Sequence, residues 1–369
     1  MSAVRQKEVT QKEKRISDLI TKMGLDGVCL SRAINFAWFT GGGNNRVVTG
    51  SETGAAALVI LGDRKYIVAP KNEIERFLEE QVPDLGFEPW TYEWYESREK
   101  AIADLVGSRK IGTDIPMGGW PVLGADLNRL RYSLTGEEIA RAREIGAICS
   151  RELAATCVNI SPGMTEWEVQ AELSYRLIKY GVRPAVLLVG TDERAFKHRH
   201  PVPTDKRLDK YAIIGLVGEK DGLHLALTRS VYFGRLPEHL RRLYDVALKV
   251  EAAFLQASKV GAGSQFIFDQ GREAYAAAGF PDEWQRHHQG GAIGYAPREY
   301  RAGEGGGETI QPNQMLAWNP TVQGTKCEDT VLVQDGGGLE FLTSVPGWWP
   351  VATLELGRQE VSRPLILER

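Results

Sequence analysis

With 369 residues the chain is longer than one typical domain and shorter than three, which predicts two packed domains. Apolar residues make up 43% and charged residues 25%, enough core-forming material to exclude intrinsic disorder or a fibrous repeat. Lys and Arg number 45 against 48 Asp and Glu with no long run of one sign, so neither nucleic acid nor an anionic membrane is the expected partner.

Residues 1–20 are charged throughout and lack the apolar core of a secretory signal, and no stretch nears the roughly 18 apolar residues of a spanning helix. A cytoplasmic location is expected. Cys29, Cys149, Cys157 and Cys327 stand far apart in no C-x-x-C pair, which predicts buried, inert thiols rather than disulfides or a thiolate zinc site. Ile16, Leu19, Ile20 and Met23 form a helical stripe that stops at Gly24, before the apolar run Gly27 to Leu30. Ala55 to Ile60 and Tyr66 to Ala69 flank Gly62-Asp63 and predict a hairpin. Helical Asn72 to Gln81 and Arg98 to Val106 then alternate with strand-like Phe87 to Trp94 and Lys110 to Thr113. Residues 1–134 therefore read as a small α/β domain, closed by the turn residues Pro116, Gly118, Gly119 and Pro121.

A second domain, 135–369, opens with two long helices. Thr135 with Glu138, and Thr165 with Glu168, have the spacing of a capping box ahead of apolar periodicity. Strand-like Val186 to Val189 and Tyr211 to Val217 follow, the latter turning through Glu219 to Gly222 into Leu223 to Phe233. Helices Glu238 to Ser258 and Phe266 to Ala278 lead to a Gly-rich stretch and strands near Met315 to Asn319 and Thr330 to Val333. That order is α+β, helices on one face of a curved antiparallel sheet.

Of six histidines, four form two clusters, His198 with His200 and His287 with His288. Imidazole titrates near neutral pH, so such clusters in Gly/Pro-rich loops are acid/base or metal candidates, or else surface and packing residues. An isolated H-x-H needs further ligands before it makes a zinc site. Pro297-Arg298-Glu299-Tyr300-Arg301-Ala302-Gly303-Glu304 places two arginines and two acids in a Gly-rich loop, either a polar substrate pocket with Arg301 as carboxylate anchor or a set of surface pairs. Asp192, Glu193 and Arg194 pose the same alternative.

The successive motifs His200-Pro201-Val202-Pro203-Thr204, Ile214-Gly215-Leu216, Leu227-Thr228-Arg229, His287-His288-Gln289-Gly290-Gly291-Ala292-Ile293-Gly294 and Cys327-Glu328-Asp329-Thr330 resemble, in order and spacing, those of the creatinase/aminopeptidase P family (peptidase family M24, pita-bread proteins). Trp38-Phe39-Thr40-Gly41 is similar to the creatinase-type N-terminal domain. The resemblance implies that small domain followed by a pita-bread catalytic domain, with a homodimer and an active site near its interface. The family's metallopeptidases hold two divalent ions with two aspartates, a histidine and two glutamates. Here those positions carry Gly215, Ala226, Gly291 and Asn319, and only Glu328 remains. Gly and Ala offer no donor, and one carboxylate with one amide cannot replace the hydration shells of two ions, so no metal or other cofactor is expected. A remodelled single-metal site using Glu219, Asp221 or His224 is the alternative.

Creatinase hydrolyses a C–N bond without metal, through a histidine that is base and then acid. The resemblance maps that histidine onto His200, and a substrate-gripping carboxylate onto Glu328, with His288 beside them. The creatinase glutamate before the hairpin arginine corresponds to Thr228. Arg46 resembles the arginine that grips substrate carboxylate across the dimer, a bidentate role suited to guanidinium. Arg301, Thr228, Asn319 and His287 complete the expected substrate-binding set. The sequence thus predicts a metal-independent hydrolase, or a lyase, acting on a C–N bond of a small amino-acid-derived carboxylate. The alternatives are an inert binding module of the same fold and an Xaa-Pro peptidase with a divergent metal site.

Overall fold

The computed structural model describes residues 2–303, 305, 307–357 and 359–369; Glu304 of the Gly-rich loop lies outside them. The chain divides into two units, Met1–Glu138 with Asp221–Leu223, and Ile139–Lys220 with His224–Arg369.

In the first unit helix α1 (Ser2–Met23) carries the Ile16 stripe inward, with Ile16 and Leu19 buried. It is followed by β1 (Gly27–Arg32), α2 (Ala33–Thr40), β2 (Thr53–Leu61), β3 (Arg64–Pro70), β4 (Glu88–Tyr92), α3 (Arg98–Val106) and β5 (Ile111–Thr113). The strands form one sheet in the order β4-β3-β2-β1-β5, antiparallel at β1–β2 and β2–β3 and parallel at its two edges. The two-residue loop Gly62-Asp63 joins β2 to β3 with Gly62 at φ +60°, a left-handed turn position that glycine adopts freely. The expected helix Asn72 to Gln81 is a short helical turn, Ile74–Arg76, running into a wider π-type turn, Phe77–Gln81. Helix α2 lies where no helix was expected. Seven of its residues, from Ala33 to Thr40, are buried, so it has no polar face and no amphipathic stripe to read.

Both expected capping boxes form, one at the end of the first unit and one in the second. Thr165 Oγ1 accepts from the Glu168 amide at 3.1 Å while Glu168 accepts from the Thr165 amide at 2.7 Å. Thr135 and Glu138 make the same exchange at 3.2 and 2.7 Å. Helices α4 (Gly136–Asn159) and α5 (Glu166–Ile178) precede β6 (Arg183–Thr191), β7 (Tyr211–Lys220) and β8 (Leu223–Tyr232). Next come α6 (Glu238–Ala257), α7 (Ser264–Ala277), β9 (Gly290–Ala292), β10 (Tyr300–Arg301), β11 (Gln314–Trp318), β12 (Thr321–Val322), β13 (Thr325–Lys326), β14 (Asp329–Val333) and β15 (Leu339–Phe341). The chain ends in β16 (Val351–Leu356), β17 (Gln359–Pro364) and β18 (Leu367–Glu368). The antiparallel strands are shared between a five-stranded sheet, β10-β9-β11-β14-β15, and a four-stranded sheet, β18-β8-β7-β6, whose edge strand β18 runs parallel to β8. Strands β16 and β17 pair only with each other, and β16 alternates exposed and half-buried residues, too little burial to mark it in the sequence.

Trp318 of β11 stacks on Phe254 of α6 with ring centroids 4.7 Å apart, and its indole N–H donates to Ser258 at 2.9 Å. This core carries a charged quartet. Asp329 accepts from Arg229 and Arg363, each at 2.8 Å, and Arg363 also grips Glu251, all four residues being almost wholly buried. All four cysteines are buried, and burial pushes the Cys29, Cys149 and Cys157 thiols up to about 12, so they stay protonated. Among the described residues no helix is long and apolar enough to cross a membrane.

Candidate functional site

A cavity of about 390 Å³ lies in the second unit. Its apolar wall is Val186 and Leu188 of β6 with Leu216 and Val217 of β7; its polar wall is His200, His288, Arg298, Arg301, Asn319, Lys326 and Glu328. Each polar group arrives from a short connection held by regular structure. His200 follows β6 and the short helix Glu193–Lys197, His288 follows the turn Glu283–Arg286, Asn319 immediately follows β11, Lys326 ends β13, and Glu328 immediately precedes β14.

The three histidines converge. His200 Nε2 and His287 Nε2 are within hydrogen-bond distance at 3.1 Å, and the His287 and His288 rings stack with centroids at 4.4 Å. His200 is exposed, whereas His287 is buried. All three are pushed toward the neutral form. Burial lowers His200, with the charges of Lys326 and Arg301 adding to it and Glu328 partly opposing. Burial and the charges of Arg298, Lys326 and Arg301 bring His288 down to about 3. Burial and Lys326 also drive His287 well below the ordinary imidazole range.

Glu328 is ionised in spite of its burial. Desolvation alone would raise its carboxyl, but Lys326 and Arg298 hold it below the usual range. Its Oε2 accepts from Lys326 Nζ and from the Thr228 hydroxyl, each at 2.7 Å, and Arg298 Nη2 stands 3.6 Å from Oε1. Arg298 is anchored by donating from Nη1 to the Ala317 carbonyl at 2.9 Å. The cavity wall thus brings two cationic side chains, Lys326 and Arg298, to one carboxylate, with Arg301 elsewhere on the same wall. It also presents buried acceptors without partners, Asn319 Oδ1 and His288 Nδ1.

The site residues expected from the sequence are distributed as follows. His200, His288, Arg301, Asn319 and Glu328 line this one cavity. His287 stands behind His200, and Thr228 spends its proton on Glu328. Arg46 belongs to the first unit, where its Nε donates to the Ser51 carbonyl at 3.0 Å. Asp192 caps the backbone amides of Lys210 and Tyr211, and Arg194 pairs with Glu166, so both serve the fold. Lys326 was not singled out in the sequence. The available signal was its spacing, since residues two apart in extended chain face the same side and Lys326 precedes Glu328 by two.

A divalent pair does not fit these residues. Gly215 and Ala226 offer no donor, and a Cβ at Gly291, whose φ is +147°, would lie 2.3 Å from the Tyr300 carbonyl oxygen. Only glycine adopts that backbone, so no histidine can stand there. The position next to Glu328 is already held by an ammonium group. The alternative single-metal set is not assembled either, since Glu219 pairs with Arg183 and His224 Nδ1 contacts the Gly294 carbonyl. Among the described residues the one group of three potential metal ligands is His200, His287 and His288. A metal ion there would add positive charge beside Arg298, Lys326 and Arg301, the same charges that already lower the proton affinity of His288.

Comparison with known proteins places this geometry in context. The sequence pattern described as Metallopeptidase family M24 matches residues 140–335, and that of the creatinase/prolidase N-terminal domain matches residues 13–143. An Xaa-Pro dipeptidase of Pyrococcus furiosus is 22% identical over 346 residues, 88% of this chain and 96% of the relative. An Xaa-Pro dipeptidase structure from Bacillus anthracis superposes with a TM-score of 0.77 at 19% identity, covering 92% of this chain and 98% of that one. The prolidase structure from Pyrococcus horikoshii OT3 gives 0.78 at 18% identity over 91% and 99%.

Proposed function

The chain belongs to metallopeptidase family M24, a creatinase-type N-terminal domain followed by a pita-bread domain, and on that premise we propose that it is a metal-independent hydrolase of C–N bonds in small carboxylate-bearing substrates. One observation carries the reading: the carboxylate that remains from the dimetal set, Glu328, is bound by Lys326, Thr228 and Arg298, so side-chain cations take the place of the ions. Residues 135–369 are the catalytic domain in this reading, and residues 1–134 the accessory one.

The roles follow from the charges. Lys326, Arg298 and Arg301 hold the substrate carboxylate, and Glu328 keeps Lys326 and Arg298 in place. Asn319 Oδ1 and His288 Nδ1 accept N–H groups of the substrate, satisfying two buried acceptors. His200, neutral because its proton affinity is lowered, takes a proton from water as the water oxygen bonds to the acyl or amidine carbon. It returns that proton to the nitrogen as the C–N bond breaks, which closes the balance without a metal. His287 fixes the orientation of the His200 ring through their 3.1 Å contact. The resemblance to creatinase adds a cytoplasmic homodimer in which Arg46 of a second copy reaches the substrate carboxylate; a monomer by light scattering removes Arg46 from the site.

The names of the relatives favour a second reading, cleavage of Xaa-Pro dipeptides with bound metal. Both are tested by screening small amino-acid amides, amidines and ureas beside Xaa-Pro dipeptides, with and without chelator. Turnover that survives chelation and is lost in His200→Ala is the expected outcome. Turnover of Xaa-Pro dipeptides that chelation abolishes overturns the metal-free reading, and no turnover of any substrate leaves an inert binding module.

A further inference from the structure

Beside the cationic cavity lies a narrow recess with room for about 20 Å³, in which the apolar side chains of Leu188, Ala195, Pro201 and Ile213 meet the polar residues His198, Arg199, Thr228, Thr321 and Lys326. The two spaces share Leu188, Gly215 and Lys326, and so meet at Gly215. This glycine stands within β7, opposite Leu188 of β6.

Neither backbone nor packing calls for glycine there. Its φ lies outside the left-handed region, and an added Cβ would meet only Thr228 Oγ1 at 3.5 Å and Leu188 Cβ at 3.8 Å, ordinary contacts. Other glycines of the same two strands are different. A Cβ at Gly218 would fall 2.5 Å from Cys149 Sγ, and one at Gly190 would fall 2.7 Å from the Pro201 ring. Glycine inside a strand leaves nothing to pack and weakens the strand, so its use at 215 needs a reason in space rather than in fold. That space is the passage from the cationic wall into the apolar recess.

We infer that Gly215 is the specificity-determining residue of the site, and that the substrate is a carboxylate with one compact aliphatic group, seated through the gap at Gly215 against Leu188, Ala195, Pro201 and Ile213. Lys326 lines both spaces, so a carboxylate held there has its neighbouring carbons at the mouth of the recess. The room available matches a group of about one or two carbons. The inference rests on the reading of the cationic wall as a carboxylate site, and the test separates the two.

The probes are acetate, propionate, butyrate and hexanoate, titrated by NMR into the full chain. Affinity should rise about fourfold per added carbon, roughly fifteenfold from acetate to butyrate, and then stop rising. Gly215→Val should bring the butyrate-to-acetate ratio to near unity, and Gly215→Ala, which the Cβ contacts show to fit, should lower it partway with the protein folded. A flat series in the wild type, or a ratio unchanged in both variants, overturns the inference while acetate binding leaves the cationic wall intact. Failure of every carboxylate to bind overturns both.

Discussion

Glu328 and Asp329 are neighbours in the chain and both almost wholly buried, yet they stand in opposite kinds of environment. Asp329 belongs to a quartet with Arg229, Arg363 and Glu251 in which two cations face two carboxylates and the charges cancel. Glu328 faces the other way along the extended chain, into a cavity where Lys326 and Arg298 both stand against this single carboxylate. A balanced buried cluster serves the fold. An unbalanced one, with the acceptor Asn319 Oδ1 left open beside it, supports the proposal of an anionic substrate that also brings donors. The resemblance to a metallopeptidase draws attention to the ligands the site lacks, and the charge difference between these two neighbours supports the proposed reading of what stands in their place.

The strongest way to break the comparison is to exchange the targets. Asp329→Ala takes the carboxylate from buried Arg229, leaves Arg363 with Glu251 alone, and should cost about 3–5 kcal/mol of stability in urea unfolding, with activity falling only because the protein unfolds. His200→Ala should do the reverse, lowering turnover about 10²–10⁴-fold. Its unfolding free energy in urea should hold to within about 0.5 kcal/mol, since the side chain is exposed. Similar stability losses in both variants would erase the distinction.

Lys326→Met sharpens it. Removing this partner from buried Glu328 should cost about 1–3 kcal/mol and weaken carboxylate binding. It should also move the pH profile. In the proposed mechanism His200 is the neutral base, and its proton affinity is lowered, so the acid limb of kcat/KM should fall below the ordinary imidazole value of 6.5. Lys326 is the largest charge contribution to that lowering, so the limb should move to higher pH in Lys326→Met; an unmoved limb would detach Lys326 from His200.

The smallest effect concerns stability against pH. His288 stays neutral in the folded protein down to about 3, while the unfolded chain takes up a proton below about 6.5. The unfolded state then binds more protons, so stability is unaffected above 6.5 and declines as pH falls from there toward 3. His288→Gln should flatten that decline in denaturant titrations at pH 7 and pH 5, and an unaltered slope would place the proton elsewhere.

Much of the scaffold was legible because local chemistry and fold agree. The pairs Thr135/Glu138 and Thr165/Glu168 announce two helix starts, and Gly62-Asp63 announces a hairpin. Helix α2 was hidden because a helix buried on nearly every side has no polar face to set its period. At the site, His200, His288, Arg301, Asn319 and Glu328 were readable and share one cavity. Lys326 was not, because a lysine next to a turn ordinarily reads as a solvated charge, although its two-residue spacing from Glu328 places both on one side of the extended chain. The three small residues Gly215, Ala226 and Gly291 looked alike in the sequence as missing ligands. In three dimensions Gly215 opens a recess, Ala226 is bracketed by the Thr330 hydroxyl through its own amide and carbonyl, and Gly291 holds a backbone crossing that excludes any side chain. Such differences arise from contacts distant in sequence.

The central claim is that side-chain cations have replaced the metal pair, and elemental analysis of the purified full chain tests it most directly. After incubation with Mn²⁺, Co²⁺ or Zn²⁺ and removal of excess ion, no stoichiometric metal should remain at a known protein concentration. Two ions retained per chain would contradict the account.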